Sequence, residues 1–301
     1  MPRLITIEDP AISSLEECTE ALCTSDFDPG DEESLARAAL QLRRLGNNKS
    51  FLADHLIRAL SRRHCEDAGE NSYGPQVIML VPPSDKSWFL RANIWPSGGE
   101  HSLRASGGAS FVYGLPHDHN FSFLTLGYFG PGYWSDYYEY DYAAVAGYAG
   151  EPVDLRFIER SRLEEGKMLL YRTHLDVHVQ SPADALSVSL NVMHARAAQG
   201  WLDQYSFDLE HRRVARILSH GSSEAFVRIA VGLGSAEAVD LAHRFGSTHP
   251  SDRMRLACWD ALAAVETEPE RRDAVWREAE VAGSRLVAGE ARRRRIRLAT
   301  A

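Results

Sequence analysis

Two histidines one residue apart, His117 and His119, lie in the stretch from Tyr113 to Leu126. On an extended chain side chains repeat every second residue, so both imidazoles point to one face, an arrangement that suits a metal ion. An exposed polar loop rich in histidine is the plain alternative. By the same parity Asp118 points away from the pair, as a turn residue or as a support behind the ligands. On the substrate side Arg91 and Asn93 share parity, as do Tyr138, Tyr140 and Tyr142, and either set could line a sheet interior. An inward Arg91 would grip a carboxylate through paired hydrogen bonds. A solvent-facing Arg91 and tyrosines that only pack are the competing readings. Asn191 and His194 have opposite parity, so without a bulge only one faces the interior; His194 is a candidate acid, base or supporting donor. Arg91, Tyr140 and His194 are therefore the candidate catalytic residues.

These residues need strands to hold them. From Pro75 the chain reads as short β-rich runs between turn residues: Val77–Val81, Trp88–Trp95, Ala109–Tyr113 leading into the histidine pair, Phe121–Phe129, Tyr137–Tyr142, 153–160, 167–171 and 186–193. Strands that follow one another without helices predict an antiparallel sandwich or barrel, with a jelly-roll barrel as the expected form. Ahead of them, residues 11–65 read as helical, with Leu35, Ala38, Ala39, Leu42 and Leu45 at helical spacing and a second helix starting from Ser50 as N-cap. After Trp201 helical patterns run to the end, over Ser223–Leu233, 235–245, Ser251–Val265 and 269–281. The expected class is α+β: an N-terminal helical segment over 1–70, a β-barrel over 71–200 and a helical region over 201–301. His55 and His64 are expected as helix-surface residues, His101 as solvated, and His211, His220, His243 and His249 as structural or solvent-facing.

The central stretch resembles the cupin superfamily, whose first motif is G-x5-H-x-H-x3,4-E-x6-G. His117 and His119 fill its histidines, Gly130 its closing glycine, and Phe123 stands at its glutamate. The segment from Gly166 to Ser181 resembles the second motif, G-x5-P-x-G-x2-H-x3-N, with Arg172 and His174 at its proline and inner glycine. If that segment is extended, His174, Asp176 and His178 share a face and parity does not choose between the histidines. The spacing in the resemblance favours His178 as third ligand, with His174 competing. Ile94-Trp-Pro-Ser-Gly ahead of Pro116-His-Asp-His is similar to the thiol-dioxygenase branch, which implies ferrous iron on three histidines and addition of O₂ to a small amino-acid-like substrate. Loss of the glutamate leaves three neutral imidazoles and open positions on the metal. Fe(II) is the expected cofactor, with Zn, Ni, Cu or Mn open to the same ligands. Residues 249–265 resemble part of one HEAT-type repeat, which implies a protein-docking role, beside a plain helical bundle as the simpler reading.

Composition limits the remaining choices. With 301 residues, 44% hydrophobic and 25% charged, the chain is of ordinary globular type. A formal charge of -9 argues against a general nucleic-acid binder, although Arg292–Arg295 and Arg297 form a local basic run, read as a solvated helix face. Cys18, Cys23, Cys65 and Cys258 are scattered, so neither a disulfide framework nor a thiolate zinc site is indicated. No secretion signal or apolar span is visible, which predicts a cytoplasmic protein without membrane contact. The expected function is a mononuclear metal oxygenase acting on a small polar metabolite or amino-acid derivative with O₂. A non-oxidative isomerase or lyase and a ligand-sensing module are the alternatives, and a homodimer is what the resemblance implies.

Overall fold

The computed structural model describes residues 1–63, 74–219 and 221–300. The boundary expected at residue 70, together with His64, Cys65 and His220, lies outside them. The chain forms two compact units: Met1–Tyr142, Asp154–Gln199 and Ser206–Arg212 make one, and Ala143–Val153, Gly200–Tyr205 and Arg213–Ala301 the other. No helix among the described residues is long and apolar enough to cross a membrane.

The first unit begins with β1 (Arg3–Ile5), α1 (Leu15–Ser25), α2 (Glu32–Asn47) and α3 (Phe51–Arg63). Ser14 and Glu17 form a capping box at α1, and the Asp31 carboxylate accepts from Glu33 N–H at α2, satisfying amides the helix leaves open. At α3 the cap comes from Asn48, whose side-chain oxygen accepts from the N–H groups of Ser50 and Phe51. There follow β2 (Val77–Val81), β3 (Trp88–Trp95), the short helix α4 (His101–Ser106), β4 (Phe123–Phe129), β5 (Trp134–Glu139), β6 (Arg156–Arg162), β7 (Met168–Tyr171), β8 (Asp176–Ser181) and β9 (Ser187–His194). Two antiparallel sheets result, one in the order β1-β7-β4-β9-β3-β2 and one in the order β6-β5-β8. The fold is α+β with antiparallel sheets, as the sequence led us to expect, and neither sheet closes on itself. The expected strand over Ala109–Tyr113 is instead a 3₁₀ turn (Gly108–Phe111) that ends with Val112 at φ 58°.

Alternation along the strands sorts the large sheet into two faces. Leu90, Ala92, Leu124, Leu126, Leu190, Val192, Met168 and Leu170 bury against α1–α3, with Leu35, Ala38, Ala39, Leu42 and Leu45 supplying the stripe of α2. The other face carries Phe123, Leu169, Tyr171, Met193 and Trp95, which share a second core with Tyr137 of the small sheet. Gly46 lets α2 lie on β4: a Cβ there would run into the Leu126 side chain. Gly46→Val is therefore expected to destabilise the chain by roughly 2 kcal/mol through overpacking, read as a lower urea midpoint at unchanged slope. An unshifted midpoint would mean that the helix rides up at no cost.

β10 (Tyr205–Asp208) and β11 (Arg213–Ile217) fall where helix was expected. In the second unit α5 (Ser223–Gly232), α6 (Ala236–Thr248), α7 (Asp252–Val265), α8 (Pro269–Glu280) and α9 (Arg285–Thr300) share one core, with Met254, Ala257, Cys258, Ala261 and Leu262 of α7 at its centre. The basic run lies on α9, and four of its arginines pair within the unit: Arg292 with Glu280, Arg293 with Glu290, Arg294 with Asp260, and Arg295 with Asp273.

Candidate metal centre

His117 stands in an isolated bridge beside β8, where its N–H and carbonyl exchange hydrogen bonds of 3.0 Å with those of His178. Two residues on, the His119 carbonyl accepts from His174 N–H at 2.9 Å. The extended path turns His117 and His119 inward and Asp118 the other way, where its carboxylate accepts from Tyr140 Oη at 2.5 Å. On β8, His178 and Gln180 face inward, paired with Tyr137 and Ser135 of β5.

The three imidazoles converge through Nε2, 3.0 Å between His119 and His178 and 3.2 Å between His178 and His117. All three are buried. Burial lowers the His117 imidazole to about 4, partly opposed by its bond to the Leu115 carbonyl. His119 is held well below the ordinary value by burial, then by His117 and Arg91, and His178 by burial, then by His117 and His119. The group is therefore neutral at pH 7. His117 Nδ1 donates to Leu115 O at 2.8 Å, which leaves its Nε2 lone pair facing the others. A proton shared between His119 and His178 would serve one contact, whereas a cation serves all three at once. The ligating atoms of all three lie within 4.8 Å of one another, and edges of 3.0 and 3.2 Å are short enough for His178 to share an ion with either neighbour at about 2.1 Å. These three residues are the group of ligating side chains that converges among the described residues.

The surrounding side chains fix that geometry. The Gln180 amide lies 3.1 Å from His178 Nδ1 and 3.3 Å from its Nε2, while its Oε1 is buried without a partner. Oxygen and nitrogen of an amide are alike in shape; with the oxygen toward the ring, His178 Nδ1–H donates to it and Nε2 is left as the ligand atom. Phe123, at the position of the motif's glutamate, sets its ring edge-on to His119 at 5.0 Å and stacks on Tyr171 at 4.5 Å. Tyr171 in turn covers His178 at 4.7 Å and meets Tyr137 Oη at 3.1 Å. Burial raises the Tyr171 phenol well above its usual value, so it stays neutral.

His117, His119 and His178 are thus brought together, and His174 is not: it occupies a turn at φ 58° with its ring stacked on Tyr142 at 3.7 Å. Arg91 lies on the inner face of β3, in register with Asn191, and its charge acts on His119 and Tyr133. Tyr138, Tyr140 and Tyr142 do not share a face, because β5 ends at Glu139. Tyr138 meets Phe157, Tyr140 holds Asp118, and Tyr142 covers His174. His194 ends β9 with its ring edge-on to Phe27, in the helix-side core. Sequence reasoning passed over Gln180, Tyr171 and Tyr137. Gln180 was within reach, since it follows His178 by two residues on the same strand.

No known family profile matches the chain, and no curated protein sequence matches it. Solved structures similar to it include hydroquinone 1,2-dioxygenase from Sphingomonas sp. TTNP3 with 4-hydroxybenzoate bound, at 10% identity over 43% of this chain and 72% of that one, TM-score 0.27. The DMSP lyase DddQ from Ruegeria pomeroyi gives 11% identity over 65% and 78%, TM-score 0.27. A cupin-like protein from Thermotoga maritima gives 11% over 45% and 80%, TM-score 0.24. At these scores the likenesses carry no weight for the site, whose chemistry is read from its own residues.

Proposed function

We propose that the chain is a mononuclear non-haem metal oxygenase of the cupin type, holding Fe(II) on His117, His119 and His178 and oxidising a small polar metabolite or amino-acid derivative with O₂. The observation that supports this most is the convergence of three buried, neutral Nε2 atoms at 3.0 and 3.2 Å with no carboxylate among them. Bound there, ferrous iron would supply O₂ binding and one-electron chemistry, on positions that three protein ligands leave open. The chain's own part is to position and to shield. His117 is oriented by the Leu115 carbonyl and His178 by Gln180. Phe123 and Tyr171 close the site to water on one side. Tyr140, through Asp118, holds the turn between the two leading histidines. Arg91 anchors the anionic end of the substrate from β3.

Elemental analysis of protein purified without a metal-affinity tag, followed by oxygen-electrode screening of the iron-loaded chain with amino acids and their derivatives, tests this. We expect about one iron per chain and substrate-dependent oxygen uptake. Turnover without oxygen uptake would move the reading to a non-oxidative isomerase or lyase. Stoichiometric binding without turnover would make the chain a ligand sensor, and activity in a metal-free His117→Ala/His119→Ala variant would sink the metalloenzyme altogether.

A further inference from the structure

The second unit carries an apolar face that its own core does not use. Helix α5 buries Val227 and Val231 in the core it shares with α6 and α7. On a second face of the same helix Phe226, Ile229 and, at its end, Leu233 follow at helical spacing, 63%, 59% and 81% exposed. Beside that ridge runs a groove of about 900 Å³ between α5, α6 and α7, walled by Ile229, Val231, Val239, Ala261 and Val265, the last 45% exposed. Ile229 belongs to both, so ridge and groove form one surface. Four apolar side chains this open leave on the order of 400 Å² of apolar surface in water, a size at which a patch on a soluble chain marks an interaction site. With the groove walls the face approaches the roughly 800 Å² that each partner gives to a stable interface.

We propose that this face pairs with the same face of a second copy of the chain, the α5 helices crossing antiparallel about a two-fold axis at Ile229. A surface that pairs with itself must carry its own complement, since every contact occurs twice with the copies exchanged. Here projection and recess lie side by side: the α5 ridge of one copy fills the groove of the other, and the reverse. The rim bears both signs, Arg228 on α5 and Glu237 and Asp240 on α6, all exposed, so a second copy brings opposite charge to the rim. A foreign partner would need only one of these features. Phe226 and Leu233 stand three and four residues from the centre, and the axis sets Phe226 of one copy against Leu233 of the other. Pairing through α5 does not involve the histidines, and it holds or fails independently of the metal-site reading.

Sedimentation equilibrium of the full chain between about 1 and 100 μM, with and without chelator, tests this. We expect twice the 33.6 kDa chain mass at the upper concentrations in both. Leu233→Asp should raise the dissociation constant about 30-fold or more. Because that side chain is exposed in the single chain, the melting temperature at monomeric dilution should stay within about 2 °C. Ile57→Asp, an open position on α3, should leave association unchanged. Phe226→Lys and Leu233→Asp chains mixed together should associate more tightly than either alone, because the mixed pair sets opposite charges together once and keeps one native contact. A chain that stays monomeric to the highest concentration leaves the face to another protein and overturns the proposal. So does a dimer indifferent to Leu233→Asp, which pairs elsewhere, and so does a Leu233→Asp chain that melts much lower, whose face the chain itself covers. A mixture no tighter than its parts would overturn the antiparallel crossing.

Discussion

His178→Ala abolishes metal retention while His174→Ala leaves it intact: this is the outcome expected from the converging Nε2 atoms. The two histidines are four residues apart and equally able to ligate as types. The backbone separates them, since β8 begins only at Asp176 and His174 sits in the preceding turn against Tyr142. Zinc sites are worth about 10–16 kcal/mol in total. One imidazole of three is then worth about 3 kcal/mol or more, a loss of roughly 100-fold or more in affinity. His117→Ala and His119→Ala should match His178→Ala. Gln180→Leu, which removes only the orienting bond, should cost about 10–100-fold. Metal content after dialysis against a graded chelator series orders the variants. If His174→Ala loses its metal and His178→Ala keeps it, the ligand set is wrong.

The second large effect concerns acid. In the metal-free chain, stability should fall as pH drops from about 6.5, the ordinary imidazole value, toward about 4, where burial holds His117. Between those values the unfolded chain binds protons that the folded one refuses, so each added proton favours unfolding. Above the upper value the contribution is whole, and below the lower it is spent. For His117 alone the difference is roughly 3 kcal/mol. His119 and His178 shift the same way, and the three titrate as a coupled group. A bound metal competes with those protons, so the loaded chain should hold its stability further into acid. Urea melts at pH 7, 6 and 5, with chelator and with metal, decide it; a flat metal-free series would mean that water already protonates the site in the folded chain.

Much of this was legible where a periodicity ran unbroken. The α2 stripe from Leu35 to Leu45 and the alternation of β3 and β9 are local patterns with one structural solution. The pairing of His117 with His119 followed from parity in the same way. Parity failed where a turn intervened. It treated His174 and His178 as equivalent, because a left-handed residue at 174 leaves no mark in the sequence of a non-glycine. It likewise aligned Tyr138, Tyr140 and Tyr142 across the end of β5. The α+β class and antiparallel sheets were expected because short strands follow one another without helices, but how the strands pair depends on contacts between distant edges, to which local pattern is blind. Phe123 marked a missing carboxylate; only the fold reveals that its ring fills the gap by stacking on Tyr171.

The mutual hydrogen bonds between the His117 and His178 backbones bear on how the centre is loaded. Two of its ligands are spaced by main-chain hydrogen bonds that do not themselves involve an ion, so the separation of their backbones does not depend on a side chain finding its rotamer. Uptake then resembles insertion into a rigid receptor and not the folding of a finger around its ion. Little ordering entropy is lost on entry, far-UV dichroism should be the same with and without metal, and the identity of the bound ion follows from supply and exchange rate more than from any collapse of the chain around it.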